Sequence, residues 1–292
     1  MLMIYVICNP TAGNGRGKKT GLRIEEMLKK LGKAYRLLWT ERPGHASVLA
    51  REAAQAGAET VLAVGGDGTA FETAQGLLET DTALGIIPAG TGNDFIKTLG
   101  TPKKPEEALE FVLSHTPLKT DAATINGRMF LNEVGAGFDV SVLDWAAKAK
   151  KYCRGLLPYL YGVIKTLFRF RSIPITLAVD GGGEETRDAF VVGVANGGII
   201  GGGIPIAPEA KADDGLLDVV LIDKVEKRHL LARLAGLMRG RVLTFPETHF
   251  VRAKNVTFSA PNMRVNIDGE IVAMPQAQVC ILPGALWVYR GK

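Results

Sequence analysis

Along the first 115 or so residues, short apolar runs alternate with longer stretches in which apolar side chains recur every three or four positions. The runs Met3 to Cys8, Tyr35 to Trp39, Val61 to Val64 and Leu84 to Ile87 are predicted as strands. Gly17 to Leu31, His45 to Ala56 and Thr69 to Glu79 are predicted as helices, each opening just after a Gly, Thr or Ser cluster able to cap it. Strands that alternate with amphipathic helices make a parallel sheet with helices on its faces.

After Pro117 the pattern changes to strand runs joined by turns. Asn126-Gly127, between Ala122 to Ile125 and Arg128 to Val134, is a strong hairpin signal. Further runs at Ile173 to Val179, Asp188 to Ala195, Leu216 to Ile222, Val256 to Ser259, Arg264 to Ile267 and Gln278 to Leu282 predict a mostly antiparallel assembly. Two helical stretches interrupt it, Asp139 to Phe168 and Glu226 to Arg239. The expected architecture is α/β with two domains, a parallel-sheet domain over 1–118 and a β-rich domain over 119–292, whose last strand is free to return to the first.

Composition narrows the class. With 292 residues and 47% hydrophobic side chains the chain can bury more than one core. Cys8, Cys153 and Cys280 form no CxxC pair, so neither a disulfide framework nor a zinc site is expected, and the thiols suit a reducing compartment. The opening MLMIYVIC lacks a basic flank and runs into Asn9-Pro10, which favours a first strand over a signal peptide and a cytoplasmic protein. Leu156 to Phe168, broken by Pro158 and Lys165, is shorter than the ~20 apolar residues of a membrane span. The formal charge of +5 suits nucleic acid, an anionic membrane or a phosphorylated substrate, but no basic stripe with interleaved aromatics favours nucleic acid.

The chemistry is concentrated in three turns. Val61 to Val64 ends in Gly65-Gly66-Asp67-Gly68-Thr69, a glycine-rich turn where α/β sheets bind ligands. Glycines admit phosphate to the backbone, the next helix aims N–H groups at it, and a carboxylate between them can reach a magnesium ion or an acceptor hydroxyl; a plain strand-to-helix turn is the alternative. A second such turn, Pro88-Ala89-Gly90-Thr91-Gly92-Asn93-Asp94-Phe95, follows one strand later, with Asp94 as a further carboxylate or a simple helix cap. At the front, Asn9 to Lys19 misses the Walker A spacing, because Ala12 and Lys19 stand where Gly and Ser/Thr are needed. Gly13, Gly15 and Gly17, even with Glu41 as a ribose acceptor, make only a weak dinucleotide signature.

Taken together, NPTAG, GGDGT and PAGTGNDF resemble the catalytic domain shared by diacylglycerol kinases, sphingosine kinases and their bacterial relatives. Phe130-Leu131-Asn132 through Gly137-Phe138-Asp139, Ala195-Asn196-Gly197, Pro208 to Leu216 and Asp268-Gly269-Glu270 look like later blocks of that family, so the likeness covers almost the whole chain. The resemblance implies a nucleotide-binding α/β domain like that of NAD kinase and phosphofructokinase, a β-rich lipid-binding domain and a cleft between them. It implies ATP and Mg2+ as cofactors and a membrane lipid as acceptor, in lipid and phospholipid metabolism. By motif it assigns Glu270, Asp67 and Asp94 to catalysis, with Glu270 as base. It assigns Asn9, Pro10, Thr11, Ala12, Gly13, Thr40, Gly66, Asp67, Gly68, Thr69, Glu72 and Thr91 to the nucleotide, and Asp214 with the main-chain carbonyls of Lys211 and Leu216 to a structural metal.

Blander readings stand beside these. Asp268-Gly269 suits an ordinary type I′ hairpin, and Asp213 and Asp214 suit solvated loop charges. Phe71 stands where relatives commonly carry asparagine, which puts nucleotide affinity or acceptor choice in question. Trp145 to Arg171, with Lys148, Lys150, Lys151, Arg154, Lys165, Arg169 and Arg171, reads equally as an interfacial helix pair on an anionic inner membrane face or as a core hairpin with snorkelling lysines. A kinase of a soluble acceptor such as NAD and a non-catalytic nucleotide-binding protein are the competing functions. Acceptor identity and oligomeric state, a homodimer among the options, stay open.

Overall fold

The computed structural model describes residues 3–149, 151–153, 157–226 and 228–291, the side chain of Phe168 excepted. It divides into two compact units: Met1–Asp121 with Pro283–Lys292, and Ala122–Leu282.

In the first unit β1 (Ile4–Cys8), β2 (Tyr35–Trp39), β3 (Thr60–Gly65) and β4 (Ala83–Pro88) form a parallel sheet in the order β2-β1-β3-β4. The end of the last strand, β17 (Gln276–Val288), adds parallel beside β4, with Trp287 opposite Ala83. Every residue of β1, β3 and β4 is buried, which is why these strands read as unbroken apolar runs. The edge strand β2 is half-exposed.

The connecting helices are α1 (Ala12–Lys30), α2 (His45–Gln55), α3 (Asp67–Leu77), α4 (Asp94–Leu99) and α5 (Pro105–Ser114). Ile24 and Leu28 of α1 and Leu109 of α5 enter one core cluster with Val6, Leu62, Val64 and Ile87. Each such burial stabilises by about 1.5–3 kcal/mol, against about 0.5–1 kcal/mol lost for a glycine inside a helix. That balance permits Gly17, where a Cβ would stand 1.9 Å from the Asn9 carbonyl oxygen, and Gly21, where it would stand 2.8 Å from Cys8 Sγ. Both glycines let α1 ride close over the end of β1.

In the second unit the chain runs β5 (Leu118–Ile125, shared with the first unit), β6 (Arg128–Phe130), β7 (Glu133–Gly137), α6 (Phe138–Ala149), α7 (Leu157–Arg169), β8 (Ile173–Val179), β9 (Glu185–Ala195), the short pair β10 (Ile199–Ile200) and β11 (Ile204–Pro205), β12 (Leu217–Asp223), α8 (Leu230–Leu237), β13 (Thr248–Ala253), β14 (Asn255–Ser259), β15 (Arg264–Ile267), β16 (Glu270–Ala273) and the start of β17. The pairings β16-β15-β7-β9, β9 with β8 and β12, β12 with β13, and β8-β14-β17 are all antiparallel. One sheet face carries Val192, Val194, Val219 and Leu221; the other carries Val191, Val220 and Ile222.

Two sequence expectations change here. The run Arg128 to Val134 is not one strand: the Asp268 carboxylate accepts the N–H groups of Leu131, Asn132 and Glu133 at 2.8–3.0 Å and breaks it between β6 and β7. The stretch Asp139 to Phe168 is two helices, α6 and α7, with residues 150 and 154–156 outside the described residues. Gly162 lets them touch, since a Cβ there would stand 2.4 Å from the Val142 carbonyl oxygen. The hairpin signals hold, with φ of +48° and +81° at Asn126-Gly127 and +46° and +95° at Asp268-Gly269. Among the described residues no helix is long and apolar enough to cross a membrane.

Candidate active site

The ends of β1, β3 and β4 bring three loops together at the carboxyl edge of the parallel sheet. Asn9 Nδ2 donates to Thr69 Oγ1 at 3.2 Å, while Asn9 Oδ1 accepts both the N–H (3.1 Å) and the hydroxyl (2.9 Å) of Thr11. Gly13, Asn14 and Gly15 are left-handed, with φ of +57°, +59° and +88°, so the loop coils before α1 proper begins. Gly13 lies so close to the third loop that a Cβ would meet the Ala89 carbonyl oxygen at 2.1 Å, and a Cβ on Gly90 would meet the Gly66 Cα at 2.4 Å. Arg16 ties the first and third loops by donating to the carbonyls of Gly13 (3.2 Å) and Gly90 (2.6 Å). These glycines are there for close approach, leaving main-chain N–H groups at helix starts, the arrangement that accepts phosphate.

Two carboxylates converge on the same spot. A Cβ at Gly92 would lie 3.0 Å from Asp67 Oδ2 and 3.6 Å from Asp94 Oδ2. Asp67 Oδ1 accepts the Phe95 N–H at 3.2 Å. Burial, followed by the neighbouring Asp94 charge, pushes the Asp67 carboxyl up, and the N–H groups of Phe95, Asp94 and Asn93 oppose that rise. Asp94 is paired at 2.8 Å with Lys97, one turn along α4. Two neighbouring carboxylates, one of them paired with a lysine, at a phosphate-compatible edge suit the charge balance of phosphoryl transfer.

The other sequence-predicted residues fall as follows. Pro10, Thr11, Gly66 and Thr91 lie in the three converging loops, Ala12, Gly68 and Thr69 lie at the starts of α1 and α3 that follow two of them, and Thr40 follows β2, its N–H bonded to the Cys8 carbonyl at 2.9 Å. Glu72 is engaged elsewhere: its Oε2 accepts the Ala46 N–H at 3.2 Å at the start of α2. Phe71 is half-buried on α3, and its ring offers no polar contact. Glu270 belongs to the second unit and is exposed, in an ion pair with Arg128. That contact holds its carboxyl below the ordinary glutamate range. Asp214 Oδ1 accepts the Leu216 N–H at 3.1 Å, and Lys211 is exposed on the same loop. The loop's oxygen donors are of the hard class that suits magnesium, though no group of three or more His, Cys, Asp or Glu able to hold a metal occurs among the described residues.

Sequence reasoning took Glu133 and Asp139 only as parts of a family block. The structure buries both carboxylates over the bare glycine patch of Gly135 and its cross-strand neighbour Gly193: a Cβ at Gly135 would stand 2.6 Å from an oxygen of each. The available signal was two acids inside the apolar run EVGAGFD. Burial, then the charges of Asp139 and Asp268, pushes Glu133 well up, and burial pushes Asp139 up to about 6. Because the folded value of Asp139 lies above the unfolded one, its contribution is fully present below about pH 4 and is lost as pH rises through about 6, on the order of 2–3 kcal/mol. Asp139→Asn is therefore expected to raise the melting temperature at pH 8 and to change it little at pH 4, as calorimetry at the two pH values will read; an equal change at both would refute the linkage.

Glycine-rich loops, paired carboxylates and helix starts at the edge of a parallel sheet define a nucleotide-fold protein suited to phosphoryl transfer. Comparison makes this specific. Residues 3–125 match the diacylglycerol kinase catalytic domain family, and residues 132–290 match the YegS C-terminal NAD kinase beta sandwich-like domain. A diacylglycerol kinase of Mycobacterium tuberculosis is 31% identical over 99% of this chain and 95% of its own length. A Pseudomonas aeruginosa protein named "Probable lipid kinase YegS-like" is 31% identical over 98% and 93%. The crystal structure of a diacylglycerol kinase from Bacillus anthracis superposes with a TM-score of 0.75 at 25% identity, covering 99% of this chain and 97% of that one. An Archaeoglobus fulgidus NAD kinase solved with ATP shares the fold, with a TM-score of 0.57 at 18% identity. The chain belongs to the diacylglycerol kinase and YegS-like lipid kinase family, and it is a lipid kinase.

Proposed function

We propose that this kinase moves the γ-phosphoryl group of ATP onto a hydroxyl of a membrane lipid, diacylglycerol or a lipid of like chemistry. The observation that carries the reading is the meeting of Asp67 and Asp94 at Gly92, within three loops whose glycines allow phosphate to approach main-chain N–H groups. In this reading Asn9 to Gly13, Gly66 to Thr69 and Thr91 contact the nucleotide, with Thr40 beside them. Arg16 and Lys97 face developing phosphate charge, and Glu270 takes the proton of the attacking hydroxyl. Magnesium, when bound, supplies neutralisation of phosphate charge; Asp67 and Asp94 are the carboxylates suited to hold it near the phosphates, and Asp214 with the Lys211 and Leu216 carbonyls suits a second, structural ion.

The helix pair α6–α7 supports contact with an anionic membrane. Residues 145–171 contain seven Lys or Arg and no acidic residue. Leu157, Leu160, Tyr161 and Ile164 form an exposed stripe along α7, while Val163 and Leu167 are buried behind it. An apolar stripe with a basic surround is how a helix lies in a membrane interface. Lys150 and Arg154, counted among those basic residues, lie outside the described residues.

The deciding experiment is radiolabelled ATP offered with diacylglycerol, phosphatidylglycerol and a sphingoid base in mixed micelles, and with NAD in solution, followed by chromatography. Label is expected in one lipid, in a reaction that needs magnesium or manganese and stops with chelator. Label in NAD alone would move the acceptor to the soluble class, and full activity in chelator would remove the metal from the scheme.

A further inference from the structure

α8 is an apolar helix, LLARLAGL, in which no residue is buried. Leu230 and Leu237 rest partly buried against the sheet face of Val191, Val220 and Ile222, and a Cβ on Gly236 would touch the Phe245 ring at 2.6 Å, so the helix is docked on one side. Its outer side is left bare: Leu231 is 68% exposed and Met238 56%, with Ala235 exposed between them at helical spacing. Leucine and methionine on a solvent face lose the transfer free energy that burial returns elsewhere, so a stripe of them calls for a partner.

The charge around the stripe states what kind of partner. From Lys224 to Arg241 the sequence carries six Lys or Arg against the single acid Glu226. Arg239 and Arg241 are exposed at the end of the helix beside Met238, and Arg233 on the inner side is neutralised by Glu247 at 2.8 Å. Glu226 is exposed and paired with Arg228 at 2.6 Å, which leaves the arginines beside Met238 as the collar of the stripe. An outer apolar stripe with an arginine collar is complementary to a negatively charged interface with an apolar interior, which a bilayer of anionic lipid presents.

α8 also shares its sheet face with the hairpin of α6 and α7. Phe138 at the start of α6 and Phe190 of β9 join the same cluster that Leu230 and Leu237 join. Phe170, just past α7, packs edge-on against Phe138 (5.8 Å between centroids) and Phe190 (5.1 Å). Two helices on one face of one sheet thus each turn an apolar stripe with basic flanks outward.

We infer that α8 is a membrane-docking element for anionic lipid, acting with α7 as a second point of attachment on the same face of the β-rich unit. The inference rests on the lipid-kinase reading only in supposing that the protein visits a bilayer. Two anchors hold where one is marginal, because their apolar areas and attractive charges act together.

The test uses the full chain, vesicles of phosphatidylcholine with or without phosphatidylglycerol, and the surface double variant Leu231→Glu/Met238→Glu. Wild type is expected to sediment with the anionic vesicles and to be released by salt. The double variant should partition roughly tenfold or more weakly, and Arg239→Gln/Arg241→Gln should flatten the salt dependence. Both are expected to melt as wild type does and to phosphorylate a short-chain diacylglycerol dispersed in solution at the wild-type rate. Equal partition of the Glu variant, or wild-type binding that ignores lipid charge, overturns the inference. So does a fall from dimer to monomer on introducing the glutamates, which would make the partner a second copy of the chain. Absence of turnover on the dispersed acceptor, with vesicle binding intact, would instead count against the kinase reading of the acceptor.

Discussion

Asp67→Asn is expected to lower turnover by roughly two to four orders of magnitude while leaving the protein folded. The turn itself tolerates the change, since Asn and Asp have the same shape and the glycines around Asp67 carry the backbone geometry. What is lost is charge at a chosen point. Asp67 stands with Asp94 about Gly92, and the N–H of Phe95 holds one of its oxygens. An amide offers one acceptor where the carboxylate offers two, and its NH2 group faces either a backbone N–H or the position of a metal or phosphate-bound hydroxyl. Steady-state turnover and a thermal melt check both halves of the expectation; normal turnover would sink the site assignment.

Glu270→Gln is expected to reduce turnover by a similar factor with little effect on ATP affinity, if the glutamate accepts the proton of the lipid hydroxyl. The structure adds a feature with a measurable sign. Glu270 is ion-paired with Arg128, and that contact keeps its carboxyl below the ordinary range. A base must be deprotonated to act, so the pair extends activity toward acid while weakening the base. Arg128→Gln should therefore raise the Glu270 pKa and move the acid limb of the kcat/KM profile to higher pH. An acid limb that stays in place would detach Glu270 from the proton transfer. If Glu270→Gln turns over normally while Asp67→Asn is inactive, the base moves to Asp67 or Asp94. A joint loss of metal or ATP binding would make Glu270 a ligand instead.

The fold was legible to the degree that local pattern and burial coincide. β1, β3 and β4 are buried along their whole length, so their apolar runs stand out, and α1 and α2 bury one residue about every third or fourth position. The hairpins at Asn126-Gly127 and Asp268-Gly269 were legible because a type I′ turn needs left-handed residues, which Asn, Asp and Gly adopt most readily. β13 was not singled out: its centre is exposed from His249 to Arg252, and its residues show neither a core run nor clean alternation. The break between β6 and β7 was hidden because its cause, the Asp268 carboxylate, lies 135–137 residues further along the chain.

By itself the sequence determined which chemistry the chain carries: three glycine-rich turns at strand ends, the carboxylates within them, and the order of blocks that marks the family. Those are local properties, since a turn's glycines and a strand's apolar run act over a few residues. Only tertiary structure decided which of these groups meet. It brought Gly13 against Ala89 and joined Arg16 to Gly90, paired Glu270 with Arg128, and engaged Glu72 at α2. It also put Glu133 and Asp139 side by side above two glycines and raised their pKa values. The physical reason is that hydrogen bonds, ion pairs and desolvation act over a few ångströms in space, and strand pairing sets which residues come within that distance however far apart they stand in the chain.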